Sequence, residues 1–146
     1  KYWTSAAAEY SKRISGYANI EIVELKESKL PSNPSEADEN SVLIREGQNI
    51  LSKKKESDHV IAMEVEGEQI DSVELAKKIQ GAFDTKSSTI DFVIGGSLGL
   101  SDEVKKRADY GLSFSKMTFP HQMARIMLLE QIYRAFKINS GETYHK

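Results

Sequence analysis

The chain has 146 residues, 39% of them hydrophobic and 29% charged, enough for one domain with a real core and too little for two comfortable ones. It contains no cysteine, which excludes disulfides, zinc-thiolate sites and thiol catalysis; with no apolar run of membrane-spanning length and no signal-peptide pattern, it reads as cytoplasmic. The net charge of −2 hides an asymmetry, since residues 1–103 carry 12 Lys and Arg against 19 Asp and Glu, and residues 104–146 carry 8 against 3, so only the C-terminal third suits a polyanion.

Residues 1–15 place Trp3, Ala7, Tyr10 and Ile14 on one face of an amphipathic helix that starts without a cap and ends at Gly16. Residues 19–25 (NIEIVEL) alternate apolar and acidic positions and predict a strand. Residues 26–40 hold two of the three prolines and read as a surface loop. A helix is expected from about Glu39 to Lys53, with Leu43, Gly47 and Ile50 on one side. Residues 58–65 (DHVIAMEV) form a compact apolar run, a candidate buried parallel strand, followed by a turn at Glu66-Gly67. Asp71-Ser72 then caps a helix to Phe83, with Val73, Ala76, Ile79 and Phe83 inward. Residues 88–95 (STIDFVIG) predict the next strand and residues 101–108 a short helix with Ser101 and Asp102 at its positive end. A β-like run over residues 112–115 leads to a corner at Thr118-Phe119-Pro120-His121. Pro120 fits a first helical turn, and behind it Met123, Ile126, Met127, Leu129, Ile132, Tyr133 and Phe136 take helical spacing, with Leu128 and Ile138 widening the apolar surface. A helix apolar on more than one side must be buried on more than one side, so it reads as a core element that also faces a second subunit. Strands alternating with helices predict an α/β fold with a mostly parallel sheet, and ligands outside the carboxyl ends of its strands.

Three segments gather at that expected edge: residues 63–67, 95–99 and 114–120. Paired glycines let a ligand approach the main chain, but GGSLG is neither a dinucleotide fingerprint nor a P-loop. The same loop satisfies G-x-S-x-G, with Ser97 in the nucleophile position and Asp109 and His121 or His145 following in triad order. A small serine hydrolase is therefore an alternative, although the chain is short for an α/β-hydrolase and no second oxyanion-loop motif precedes Ser97. His59, His121 and His145 show no i, i+4 pairing, so no metal site is expected. Arg125 and Arg134 lie on the long helix among apolar residues, with Glu130 four residues before Arg134. Arg is the preferred cation for phosphate recognition and for bridging subunits. The terminal Tyr144-His145-Lys146 combines a ring, an imidazole and an ammonium, which suits a flipped base and its phosphate.

The combination of VIGGSLGL, LSFSKMTFPHQMARIMLLEQIYRAFKI and a terminal YHK resembles the RlmH family of the SPOUT methyltransferases, which methylate N3 of a pseudouridine in large-subunit ribosomal RNA. The resemblance covers essentially the whole chain, including AEYSKR at residues 8–13 and REGQNIL at residues 45–51. It implies a single domain over residues 1–146, an α/β knot of SPOUT type with a C-terminal trefoil knot, S-adenosylmethionine as cofactor, a homodimer, and the assembled ribosome as partner, with neither membrane nor metal. Carried over by motif, cofactor contacts fall on Met63, Gly95, Gly96, Phe114, Ser115, Lys116, Met117, Thr118 and Phe119, and substrate-side roles on His121, Arg134, Tyr144 and His145. At Met63 a leucine is common in the family, and a thioether of similar size serves. Family members begin with a short strand and a Val-Gly-Lys type turn, whereas this chain begins inside the following helix, so that strand is expected to be missing and an edge exposed. A non-catalytic module binding ribosomal RNA is the other alternative; it would bind ribosomes without transferring a methyl group.

Overall fold

The structure, a computed structural model, describes residues 1–85 and 87–144. Eight elements follow in chain order: α1 (Tyr2–Ile14), α2 (Glu36–Lys53), β1 (His59–Glu68), α3 (Ser72–Asp84), β2 (Ile90–Val93), α4 (Asp102–Arg107), β3 (Tyr110–Leu112) and α5 (His121–Asn139). They divide into two compact units. A sheet unit comprises Val23–Gln69 and Ser87–Lys116, and a helical unit comprises Lys1–Ile22, Ile70–Lys86 and Met117–Lys146.

In the sheet unit the strand order is β2-β1-β3, and both pairings are parallel. The central strand carries Val60, Ile61 and Ala62 in succession, all buried. Three consecutive buried apolar residues are what a parallel strand covered on both faces requires. Ala62 packs with Leu100 of the loop and Val104 of α4, and with the half-buried Ile50, Leu51, Val93 and Ala108 around them. At the amino-terminal edge, Val60 N–H donates to Asp109 Oδ2 at 2.8 Å and Asp109 N–H returns to the Val60 carbonyl at 2.8 Å. Helix α2 begins in a capping box, in which Ser35 Oγ accepts from Asp38 N–H and the Asp38 carboxylate accepts from Ser35 N–H. That box starts the helix three residues before the expected Glu39. Gly47 is buried where α2 meets α4, and a Cβ there would collide with Ser101 Oγ and stand 3.3 Å from Val104 Cγ2. Ser101 in turn caps α4, accepting from Val104 N–H at 3.3 Å.

The expected turn at Glu66-Gly67 is instead part of β1. The strand pairs Met63 with Leu112, bulges, and pairs Glu68 with the same Leu112. Gly67 makes this possible, because a Cβ there would lie 2.8 Å from the main-chain carbons of Gly111 and Leu112. Strand β3 also begins at Tyr110, two residues before the expected Leu112.

In the helical unit α5 packs against both α1 and α3. Leu128, Leu129, Ile132 and Ala135 are its buried residues; Ala7 and Ile14 of α1 and Leu75, Ala76, Ile79 and Ala82 of α3 are the buried residues of its neighbours. Burying each large aliphatic side chain contributes about 1.5–3 kcal/mol, so these helices depend on one another. Two polar contacts fix the register of α3 on α5: Ser72 Oγ donates to Gln131 Oε1 at 2.6 Å, and Asn139 Nδ2 donates to the Ala76 carbonyl at 3.0 Å. Asp71 caps α3 as expected, but Val73 faces solvent rather than the core.

Residues 19–25 do not form the expected strand. Alternation gives a segment the ability to pair, and a strand exists only where a neighbour completes its ladder of hydrogen bonds. Among the described residues none does, and Ile22 and Val23 are 41% and 53% exposed.

Candidate functional site

The sheet register brings parts of the three singled-out segments to one edge. Val93, the last residue of β2, lies opposite Ala62, and Leu112, the last of β3, lies opposite Met63. Met63, the 95–99 loop and the chain leaving β3 at Ser113 therefore share the carboxyl edge of the sheet. This is the edge where open parallel sheets bind ligands.

The loop after β2 is shaped by its glycines. Gly99 N–H donates to the Gly96 carbonyl at 3.0 Å, closing a small antiparallel bridge. Gly99 has φ +83°, a conformation that disfavours any side chain. A Cβ on Gly95 would stand 2.5 Å from the Gly99 carbonyl oxygen and 2.6 Å from its carbon. On Gly96 the nearest atoms to such a Cβ belong to Glu27, with Oε1 at 3.2 Å. Beyond β3, Ser113 is buried; its N–H donates to the Glu68 carbonyl at 2.9 Å and its hydroxyl to the Ser115 carbonyl at 3.0 Å. These bonds turn the chain after β3; Met63, Phe114 and Ser115 are half-buried, while Lys116 is exposed. Met117 and Thr118 are exposed and Phe119 is half-buried; they belong to the helical unit.

A second constellation stands on α5. Glu130 holds Arg134 in a two-pronged pair, Nη2 to Oε2 at 2.7 Å and Nε to Oε1 at 3.2 Å. Tyr144 closes the group, its hydroxyl donating to Glu130 Oε2 at 2.9 Å while the Arg134 guanidinium lies 4.8 Å from its ring centre. The ring meets Tyr133 edge-on at 5.0 Å. Burial and the hydrogen bond to Glu130 both push the Tyr144 phenol up, so it stays a neutral hydroxyl. The hydrogen bonds that Arg134 donates to Glu130 likewise raise the guanidinium, fixing its charge. Glu130 was not among the expected site residues. The i, i+4 spacing to Arg134 was its only signal, because a carboxylate on a helix usually serves solvation. His121 is exposed at the first position of α5, with Pro120 as N-cap residue rather than inside the first turn. His145 lies outside the described residues.

The hydrolase alternative loses its triad acid on geometry. Ser97 follows the carboxyl end of β2, whereas Asp109 precedes β3 at the opposite edge. There Asp109 accepts from Val60 N–H and Arg107; those bonds hold its carboxyl below the usual range although burial works against them. It is a structural anchor.

A methyl-donor nucleoside needs approachable main chain and apolar walls. The glycine loop supplies the first, and a methyl group at Gly95 would destroy it. The half-buried Met63 and Phe114 supply the second. The residues present at this edge fit such a group.

Residues 1–145 match the family described as "Predicted SPOUT methyltransferase". The chain belongs to the SPOUT methyltransferase family. Among similar proteins, "Ribosomal RNA large subunit methyltransferase H 1" of Clostridium perfringens strain SM101 is 56% identical over 146 residues, all of this chain and 92% of that protein. "Ribosomal RNA large subunit methyltransferase H" of Clostridium novyi is 55% identical, and that of Clostridium botulinum strain Alaska E43 is 51% identical, each over the same shares. This SPOUT methyltransferase shows, among its described residues, no helix long and apolar enough to cross a membrane. Among those residues there is also no group of three or more His, Asp or Glu able to hold a metal ion.

Proposed function

We propose that this protein is an S-adenosylmethionine-dependent methyltransferase that modifies N3 of a pseudouridine in large-subunit ribosomal RNA, on the assembled ribosome in the cytoplasm. The observation that carries the reading is its full-length likeness, at 51–56% identity, to proteins named ribosomal RNA large subunit methyltransferase H. The +5 charge of residues 104–146, the part that holds Arg134 and Tyr144, supports a polyanionic substrate.

When bound, S-adenosylmethionine supplies a methyl group on a sulfonium, and no metal is needed. The chain's own contribution is positioning. Main-chain groups of Gly95 and Gly96 hold the adenosine, Met63 and Phe114 flank it, and Ser115, Lys116, Met117, Thr118 and Phe119 complete the contacts. Arg134 and Tyr144 orient the base and its phosphate, with His121 as a further substrate contact. The target nitrogen must lose a proton. Arg134 or His145 favours the resulting anion electrostatically, or His145 takes the proton itself; the N–C bond forms as the S–C bond of the sulfonium breaks, and the thioether leaves. In the same proposal residues 1–146 act as one domain, its C-terminal part tied in a trefoil knot, and two copies make a homodimer. Met123 of α5, 38% exposed, is apolar surface that a second copy would cover.

The test is incubation of the purified protein with ribosomes and methyl-labelled S-adenosylmethionine. Label in large-subunit RNA is expected. Binding to ribosomes without label would favour the non-catalytic module instead.

A further inference from the structure

Glu27 lies on an irregular segment before α2, far in sequence from the loop it touches. The segment is pinned next door, where Ser28 N–H donates to Glu46 Oε2 on α2 at 3.0 Å. From that anchor the Glu27 side chain lies across Gly96. A Cβ on the glycine would have Oε1 at 3.2 Å, Cδ at 3.5 Å and Cγ at 3.7 Å as its three nearest neighbours. Among the described residues Glu27 makes no hydrogen bond and no ion pair. A carboxylate held against bare main chain, with both oxygens unused, is an acceptor pair for a ligand with two neighbouring donors. The nucleoside proposed for this loop has such a pair in the vicinal hydroxyls of its ribose.

We propose that Glu27 is the ribose-reading residue of the donor site, its carboxylate accepting hydrogen bonds from the 2′- and 3′-hydroxyls of the nucleoside held at Gly95-Gly96. This rests on the methyltransferase reading and adds to it a specificity determinant from outside the motifs that carry the resemblance. A site built to accept hydroxyl hydrogen bonds rejects an analogue that lacks them, because its acceptors are left unpaired. Charge-assisted bonds of this kind correspond to about ten- to hundredfold in affinity.

The experiment is calorimetric titration of the full chain with S-adenosylhomocysteine and with its 2′,3′-dideoxy analogue. The wild-type protein is expected to prefer the ribose form by roughly tenfold or more. Glu27→Ala should weaken the ribose form by that factor and leave the analogue unchanged, flattening the preference; Glu27→Gln, which keeps one acceptor, should retain part of it. Glu46→Gln, which loosens the anchor at Ser28, should erode the preference by a smaller factor. A merely structural Glu27 would weaken both ligands equally, and that result overturns the inference. So does an undiminished preference in Glu27→Ala. Failure of the wild-type protein to bind either ligand would instead sink the donor-site reading beneath it.

Discussion

In the sheet unit, the shape of the 95–99 loop is set by main-chain hydrogen bonds, the register of β1 with β2 and β3, and the absence of side chains at Gly95 and Gly96. In the helical unit, the Glu130-Arg134-Tyr144 group is set by side chains holding other side chains. The first arrangement offers main-chain donors and acceptors, which is what the proposed nucleoside ligand would use. The second presents a fixed charge and a neutral phenol. The difference teaches where each half is vulnerable: the proposed donor site to added bulk, the proposed acceptor site to lost charge.

The sharpest way to break the comparison is Arg134→Ala. On the proposed mechanism it removes the cation that stabilises the developing anion, so methyl transfer should fall about 10²–10³-fold, while affinity for S-adenosylmethionine by calorimetry stays within about twofold. Equal loss of both would mean that the halves are not separable. Next in size is Gly95→Ala. The new methyl overlaps the Gly99 main chain, and the strain should lower stability by about 1–3 kcal/mol in urea unfolding and abolish donor binding. Ser97→Ala, on an exposed residue of the same loop, should change neither.

A smaller effect concerns the far edge of the sheet. Asp91 Oδ2 is buried with no hydrogen-bond donor, and burial together with the neighbouring Asp58 pushes its carboxyl up to about 7. Burial also pushes Asp58 up, but hydrogen bonds from Asp91 and Lys55 N–H, and the charges of Lys55 and Lys54, outweigh it and hold Asp58 low. The pair thus keeps one proton, carried by Asp91. A raised folded-state value means that the stabilisation is complete below the unfolded value near 3.8 and is lost as pH rises through about 7. Thermal melts should therefore fall by roughly 3–6 °C between pH 5 and pH 8 from this pair, after allowance for solvent screening. Asp91→Asn should flatten that decline. The smallest expected effect is Ser35→Ala, which removes one half of the α2 capping box and should cost about 1 kcal/mol.

Much of this was legible where local chemistry decides the outcome. Asp71 caps α3 because a short acceptor before an apolar period has little else to do, and the run from Val60 to Ala62 could only be buried. That α5 is a core element followed from its apolar width, and α1 and α3 pack against it; the second subunit expected on its other side belongs to the proposal. What was not legible depends on partners distant in the chain. Residues 19–25 have the alternation of a strand, and among the described residues no strand pairs with them. Glu66-Gly67 has the letters of a turn, yet Gly67 serves to let β1 run over the end of β3. Glu130 looks like a solvated helix carboxylate until Tyr144 is placed against it, and Glu27 has no motif at all.

The most direct test of the central claim is mass spectrometry of large-subunit RNA nucleosides, after ribosomes that lack the modification have been incubated with this protein and S-adenosylmethionine. One methyl mass on a pseudouridine, at N3, is the predicted result. A methyl group on any other nucleoside, or none at all from a folded protein that binds the donor, would contradict it.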